Sequence, residues 1–259
     1  MDLRIPTTDG VSLAAHLALP PAQAPYPALV LSHGFPLGKQ TARSSGLTYP
    51  ELADVLAERA GWAVVTFNFR GTGESSGDFS LAGWRDDLVA VHRWLIARDD
   101  VSGGWLLGAS AGGALSICAA IEQEVRGVAT LGAPAGFEHW GTNAGLFLDH
   151  AREIGIISRA GFPADPAAWA AELTEISPLE AASKLAPTPL FIAHGDDDDI
   201  VPLDDARALA ESYGPGAELH IVRGGGHRLR HDPRGVALVL GWLDRQAPGR
   251  SPNNHEDAS

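Results

Sequence analysis

The sequence predicts an α/β protein built on a mostly parallel sheet flanked by helices, with a small helical insertion. Three observations predict it. Short apolar runs bounded by turn residues alternate along the chain with stretches of helical periodicity. Most of those runs are apolar throughout, as expected of strands covered on both faces. The alternation breaks once, between residues 134 and 187, in a stretch with aromatic residues and no convincing strand.

The elements follow in order. Residues 11–19 alternate and stop at Pro20-Pro21, an early strand that pairs with 3–7 across the Asp9-Gly10 turn. Residues 26–32 form a short buried strand, and 36–46 a polar loop. Residues 49–60 place Leu52, Val55 and Leu56 on one helical face, with Gly61 as the stop. Then come strand 62–69, a glycine-rich turn at 70–77, helix 81–98, strand 104–109, helix 111–122 and strand 125–131. After the insertion come strand 189–193, helix 203–213, strand 217–222 and helix 233–244. Strands alternating with helices give a parallel sheet covered on both faces. The expected organisation is a core of 1–134 and 187–246, a helical cap at 135–186, and a polar, disordered tail at 247–259.

Composition narrows the function. The 259 residues are 45% hydrophobic and 20% charged, which suits one domain with a sizeable core. A formal net charge of -13 repels phosphate backbones and argues against nucleic-acid binding. The single cysteine, Cys118, cannot form an internal disulfide and lies in an apolar helical stretch, where a buried inert thiol is expected. No apolar leader and no run of about 18 apolar residues is visible, so the cytoplasm is the expected location and no membrane span is expected.

Gly108-Ala109-Ser110-Ala111-Gly112 has the G-x-S-x-G pattern between a buried strand and a helix of small residues. A sharp strand-to-helix turn lifts the Ser110 hydroxyl clear of the sheet. Neighbouring backbone presses in two residues before and two after, where a Cβ does not fit easily. The helix N-terminus beneath favours developing negative charge. An incidental serine in a plain glycine-rich turn is the bland alternative, and the strand–helix context argues against it.

His33-Gly34-Phe35-Pro36 ends strand 26–32. The Phe35 N–H, partnered by that of Ala111, is the expected oxyanion hole. His33 is read as a structural histidine that bonds the loop backbone. The run from His194 to Pro202 holds four consecutive acids, which cannot all be buried. Ile200, Val201 and Pro202 re-enter the fold, so an inward acid lies just before them. Gly224-Gly225-Gly226 then lets the chain turn abruptly and deliver His227 across the strand ends. His231, the competing histidine, precedes Asp232-Pro233, a helix start that Asp232 can cap. Nucleophile, acid and histidine all fall at carboxyl ends of strands, where open α/β sheets place their sites.

With these residues the chain resembles the α/β-hydrolase superfamily over residues 3–246. The resemblance implies Ser110 as nucleophile, His227 as base, and Phe35 and Ala111 as oxyanion donors. In relatives the acid sits within G-x-x-D-x-x-V-P. Here that pattern selects Asp198, between Gly195 and Val201, with Asp196 as the fallback. His33-Gly34-Phe35-Pro36 is also similar to epoxide hydrolases and dehalogenases, but those carry an aspartate nucleophile where this chain has Ser110. The insertion takes the place of the family's cap, and Trp140 and Phe147 within it would line the substrate pocket.

The implied function is a serine hydrolase, a carboxylesterase acting on a small to medium ester through an acyl-enzyme, without metal or organic cofactor. A peptidase or acyltransferase of the same fold is the alternative within the class, and a non-catalytic binding protein the alternative outside it. Lys39 and Arg43, in a loop of an acidic protein, are candidates for recognising a substrate anion, with a solvated loop as the simpler reading. The sequence carries no indication of oligomeric state.

Overall fold

The computed structural model describes residues 1–44 and 48–247. Eight strands form one sheet: β1 (Asp2–Pro6), β2 (Ser12–Ala18), β3 (Tyr26–Ser32), β4 (Ala63–Phe67), β5 (Val101–Ala109), β6 (Val128–Leu131), β7 (Leu190–Gly195) and β8 (Glu218–Val222). Their order across the sheet is β1-β2-β4-β3-β5-β6-β7-β8. The β1–β2 hairpin and the β2–β4 pair are antiparallel, and all pairs from β4 to β8 are parallel. This is the mostly parallel sheet expected from the alternation of strands and helices, in the α/β-hydrolase fold that the resemblance implied.

Successive residues of a strand point to opposite faces, and the two cores follow that rule. Val30, Val65, Leu106, Val128 and Ile192 face one side. Leu31, Val64, Leu107, Ala129 and Phe191 face the other. The first face is covered by α3 (Leu81–Ile96), α4 (Ala111–Ala120) and α9 (Leu203–Tyr213). The second is covered by α2 (Tyr49–Ala60) and α10 (Pro233–Gln246). Ser80 caps α3 by accepting from Gly83 N–H, and Asp232 caps α10 by accepting from Arg234 N–H. Gly61 ends α2 at φ 75°, a left-handed cap that a Cβ would strain.

Three expectations need correction, one being that β6 starts at Val128 and not at residue 125. The loop at 36–46 contains a short helix, α1 (Lys39–Ser44), and its last two residues lie outside the described ones. β5 begins three residues before the expected start, because Tyr26 of β3 pairs with Val101 despite the Gly103-Gly104 step that hides the strand in the sequence. The tail expected at 247–259 lies, apart from Ala247, outside the described residues.

Between β6 and β7 stand four helices: α5 (Glu138–Gly141), α6 (Ala144–Ile154), α7 (Pro166–Glu175) and α8 (Pro178–Leu185). The first three pack on one another above α1 and α3, whereas α8 packs on α4 and α9. Trp169 Nε1–H donates to Phe79 O at 3.1 Å, and Glu172 accepts from Ala82 N–H at 3.0 Å, tying α7 to the start of α3.

Candidate active site

Ser110 joins β5 to α4 with φ 52° and ψ -127°, and among the described residues it is the one non-glycine residue at positive φ. Such a conformation costs on the order of 1–3 kcal/mol and persists only where the surroundings enforce it. They do so here by close backbone approach. A Cβ on Gly108 would lie 2.3 Å from Gly112 C, and one on Gly112 would lie 2.4 Å from His33 O. Ser110 N–H donates to Leu131 O at 2.9 Å, and Ser110 O accepts from Gly113 N–H at 2.8 Å.

The loop after β3 meets the same serine. A Cβ on Gly34 would come within 2.8 Å of Ser110 Cβ. His33, 1% exposed, braces this loop from below. Its Nε2 accepts from Phe69 N–H at 3.2 Å, so Nδ1 carries the proton and donates to Gly34 O at 2.8 Å. Burial pushes the His33 imidazole down to about 4, which keeps it neutral. Phe35 follows Gly34. Ala111 opens α4, where the helix itself supplies no acceptor for its N–H. The Phe35 ring packs against Trp140 (4.9 Å between ring centres) and Phe147 (5.2 Å), which stack on each other at 4.7 Å.

Asp198 turns inward from the acidic run, while Asp196, Asp197 and Asp199 are exposed. The Asp198 carboxylate is 1% exposed. Its Oδ1 accepts from the N–H groups of Ile200 and Val201, each at 2.9 Å. Its Oδ2 lies 2.9 Å from His227 Nδ1. Asp196 instead accepts from Gly224 N–H at 2.6 Å and holds the glycine turn that carries His227. A Cβ on Gly195 would lie 1.9 Å from Gly225 O, so the two loops press together without room for a side chain. His231 lies in a 3₁₀ turn, Leu229–His231, that leads to the Asp232 cap.

Two residues of this region carry no readable sequence signal. Gly132, at φ 62° just after β6, passes so close that a Cβ would lie 3.3 Å from Asp198 Oδ2 and 3.5 Å from His227 Nδ1. It bridges the strand ends between Ser110 and the acid–histidine pair. His194, fully buried, donates Nε2–H to Val201 O at 2.9 Å and lies 3.4 Å from Asp198 Oδ2.

Lys39 and Arg43 are exposed. Arg43 lines a cavity of about 440 Å³ at the β1–β2–β4 edge, together with Arg4, His16 and Thr66. That cavity does not include Ser110 or His227 among its walls. Cys118 is buried, and desolvation pushes its thiol up to about 12, so it is inert. Among the described residues no group of three or more His, Cys, Asp or Glu side chains is placed to hold a metal ion. Among them, too, no helix is long and apolar enough to cross a membrane.

The family model of the X-Pro dipeptidyl-peptidases (S15 family) matches residues 9–171. The chain belongs to this family. The matched segment runs from the end of the β1–β2 turn into α7 and includes Ser110, and it ends before Asp198 and His227. Three solved structures share the fold of this S15-family chain. The α/β-hydrolase GrgF from Penicillium sp. sh18 is 20% identical, with 95% of this chain and 98% of that chain covered and a TM-score of 0.74. Est1E from Butyrivibrio proteoclasticus, solved with ferulic acid, is 20% identical over 94% and 96%, at 0.70. The esterase domain of a Rhodothermus marinus protein is 22% identical over 95% and 96%, at 0.68. No curated protein matches the chain. Family and fold together make it a hydrolase of the α/β type.

Proposed function

We propose that this S15-family chain is a serine hydrolase that cleaves a carboxylic ester through an acyl-enzyme, with Ser110 as nucleophile, His227 as base and Asp198 as the acid that orients it. The observation that carries the reading is the enforced positive φ of Ser110 at the strand–helix junction. A serine held there at the expense of backbone strain has a use for its hydroxyl.

The Asp198 carboxylate accepts from His227 Nδ1–H, which leaves Nε2 free to take the Ser110 proton. Ser110 then attacks the carbonyl carbon. The N–H groups of Phe35 and Ala111 receive the oxyanion, where loss of one donor typically costs about 2.7–4 kcal/mol in the transition state. The imidazolium protonates the leaving alcohol, and water, activated by the same imidazole, releases the acid. Of the segment 135–186, α5, α6 and α7 act as the cap while α8 extends the core, and Trp140 and Phe147 form the cap's wall against Phe35.

A second reading, a peptidase, is favoured by the family match, since the same machinery cleaves amides. The esterases among the structural neighbours favour the first. Labelling with a fluorophosphonate, wild type beside Ser110→Ala, followed by peptide mapping, tests the nucleophile. Label at Ser110 is expected, and label elsewhere or none on a folded protein would overturn the reading. Turnover of 4-nitrophenyl esters against an Xaa-Pro 4-nitroanilide then separates esterase from peptidase.

A further inference from the structure

We propose that Arg230 is a subsite for a carboxylate carried on the leaving-group side of the substrate. This inference rests on the serine-hydrolase reading above and adds the chemical class of the substrate to it.

Arg230 lies three residues after His227, in the 3₁₀ turn Leu229–His231. Its guanidinium carbon sits 4.9 Å from the centre of the Tyr49 ring, a cation–π contact that holds the side chain against the ring. Tyr49 is buried and meets the ring of His33 at 6.1 Å. His33 supports Gly34, the residue whose backbone touches Ser110. A short chain of contacts therefore runs from the guanidinium to the nucleophile.

The charge of Arg230 is not answered by any acid among the described residues. In a chain with 32 acids against 19 Lys and Arg, it makes no ion pair among the described residues. Its Nε is the one arginine nitrogen among them that is buried without a hydrogen-bond partner. Leaving a buried charged donor unpaired is costly. By contrast, Arg234 nearby is held by Asp232 at 2.6 Å. Arg228 is exposed on the same turn. Both Arg228 and Arg230 lie close enough to His231 to add to the effect of its burial in lowering its affinity for a proton. Arg228 and Arg230 thus place two positive charges in the segment that directly follows His227, and such charges draw anions.

The side of the substrate follows from the two cores. Phe35, Trp140 and Phe147 belong to the core on one face of the sheet, and Tyr49 and Leu229 to the core on the other. The aromatic wall and Arg230 thus flank the strand ends from opposite sides. His227, which hands its proton to the leaving group, lies two residues before Leu229 of that second core, and this places the leaving group on the Arg230 side in the proposal. A planar fork held against an aromatic ring suits bidentate binding of a carboxylate.

The experiment compares 4-acetoxybenzoate, whose leaving group carries the carboxylate, with its neutral methyl ester. The ratio of their kcat/KM values is measured in wild type, Arg230→Gln and Arg230→Lys. The ratio is expected to fall roughly ten- to a hundredfold in Arg230→Gln, with part of it retained in Arg230→Lys. An unchanged ratio overturns the subsite. So does a ratio that responds only to a carboxylate on the acyl side, tested with monophenyl succinate and its methyl ester. Calorimetric binding of 4-hydroxybenzoate gives a readout independent of turnover. Binding to wild type that weakens at least tenfold in Arg230→Gln supports the subsite, and equal or absent binding overturns it. Full turnover of both esters by Ser110→Ala would instead sink the hydrolase reading and leave the binding result to stand by itself.

Discussion

His227 Nδ1 lies 2.9 Å from one oxygen of Asp198 and 3.1 Å from the other, and the Asp198 carboxylate is also held by two backbone N–H groups. An ionised carboxylate only accepts, so the proton resides on Nδ1. In Asp198→Asn the amide oxygen keeps the Ile200 and Val201 N–H groups, and its NH2 turns toward His227. The imidazole must then carry its proton on Nε2, where it cannot serve as base. A fall in kcat of roughly a thousand- to ten-thousandfold is expected, with KM little changed. Steady-state ester hydrolysis reads this directly, and a loss below tenfold would remove Asp198 from the mechanism.

His33 makes acid stability measurable. Burial holds its imidazole at about 4, against about 6.5 in the unfolded chain. Between those values the unfolded state binds a proton that the folded state does not, so stability falls as pH falls from 6.5 toward 4. At about 1.4 kcal/mol per pH unit, wild type is expected to lose about 2 kcal/mol more than His33→Gln between pH 7 and pH 4.5. Urea unfolding at both pH values measures the difference. Contributions from His92, lowered by burial, and Asp87, raised by burial, are common to both proteins and cancel. Parallel losses in the two proteins would show that His33 is not held neutral.

Arg70, from the glycine-rich turn, donates Nε–H and Nη2–H to Asp87 Oδ1 at 2.9 and 2.7 Å, and its backbone N–H to Oδ2 at 2.8 Å. Asp87 is fully buried in α3. Burial pushes its carboxyl up, to about 6, although Arg70 pulls it down. Desolvation therefore outweighs attraction for the acid, while the guanidinium, also held by half-exposed Asp9, gains. Asp87→Ala leaves a mostly buried charge with one exposed partner and is expected to cost about 3 kcal/mol by urea unfolding. Replacing both residues, as Arg70→Met with Asp87→Leu, is expected to cost less than the single change. A double variant that is less stable than Asp87→Ala would show that the pair itself stabilises the turn.

The strands buried on both faces were legible because an unbroken apolar run of their length has few other uses, and β3 and α2 have the expected bounds. The Gly108–Gly112 turn was legible because its glycines answer a steric demand. Asp198 and Asp196 were separable only through the pattern shared with relatives. Four adjacent acids look alike until the re-entry of Val201 supplies the N–H that turns one inward. α1 escaped because six residues carry too little periodicity, and nucleation makes so short a helix depend on its neighbours. The contacts of Gly132, His194 and Arg230 depend on what the chain places opposite them, and no local pattern records that.

Gly34 offers the sharpest steric test of the oxyanion role proposed for its loop. A Cβ there would lie 2.8 Å from Ser110 Cβ, 3.2 Å from Ala109 O and 3.4 Å from Ser110 Oγ. None of these is the far end of a flexible side chain, so the loop or the elbow must move. The loop is held from below by His33 and cannot retreat without breaking the bonds to Gly34 O and Phe69 N–H. Gly34→Ala is therefore expected to displace Phe35 N–H from the oxyanion position and to lower kcat at least a hundredfold, in the range seen when one oxyanion donor is lost. The accompanying loss of stability is expected to be about 1–3 kcal/mol, the usual cost of overpacking. Gly38→Ala is the control, since a Cβ there meets nothing within 4 Å. A Gly34→Ala protein with wild-type kcat would show that the loop tolerates the shift and that the oxyanion donor lies elsewhere.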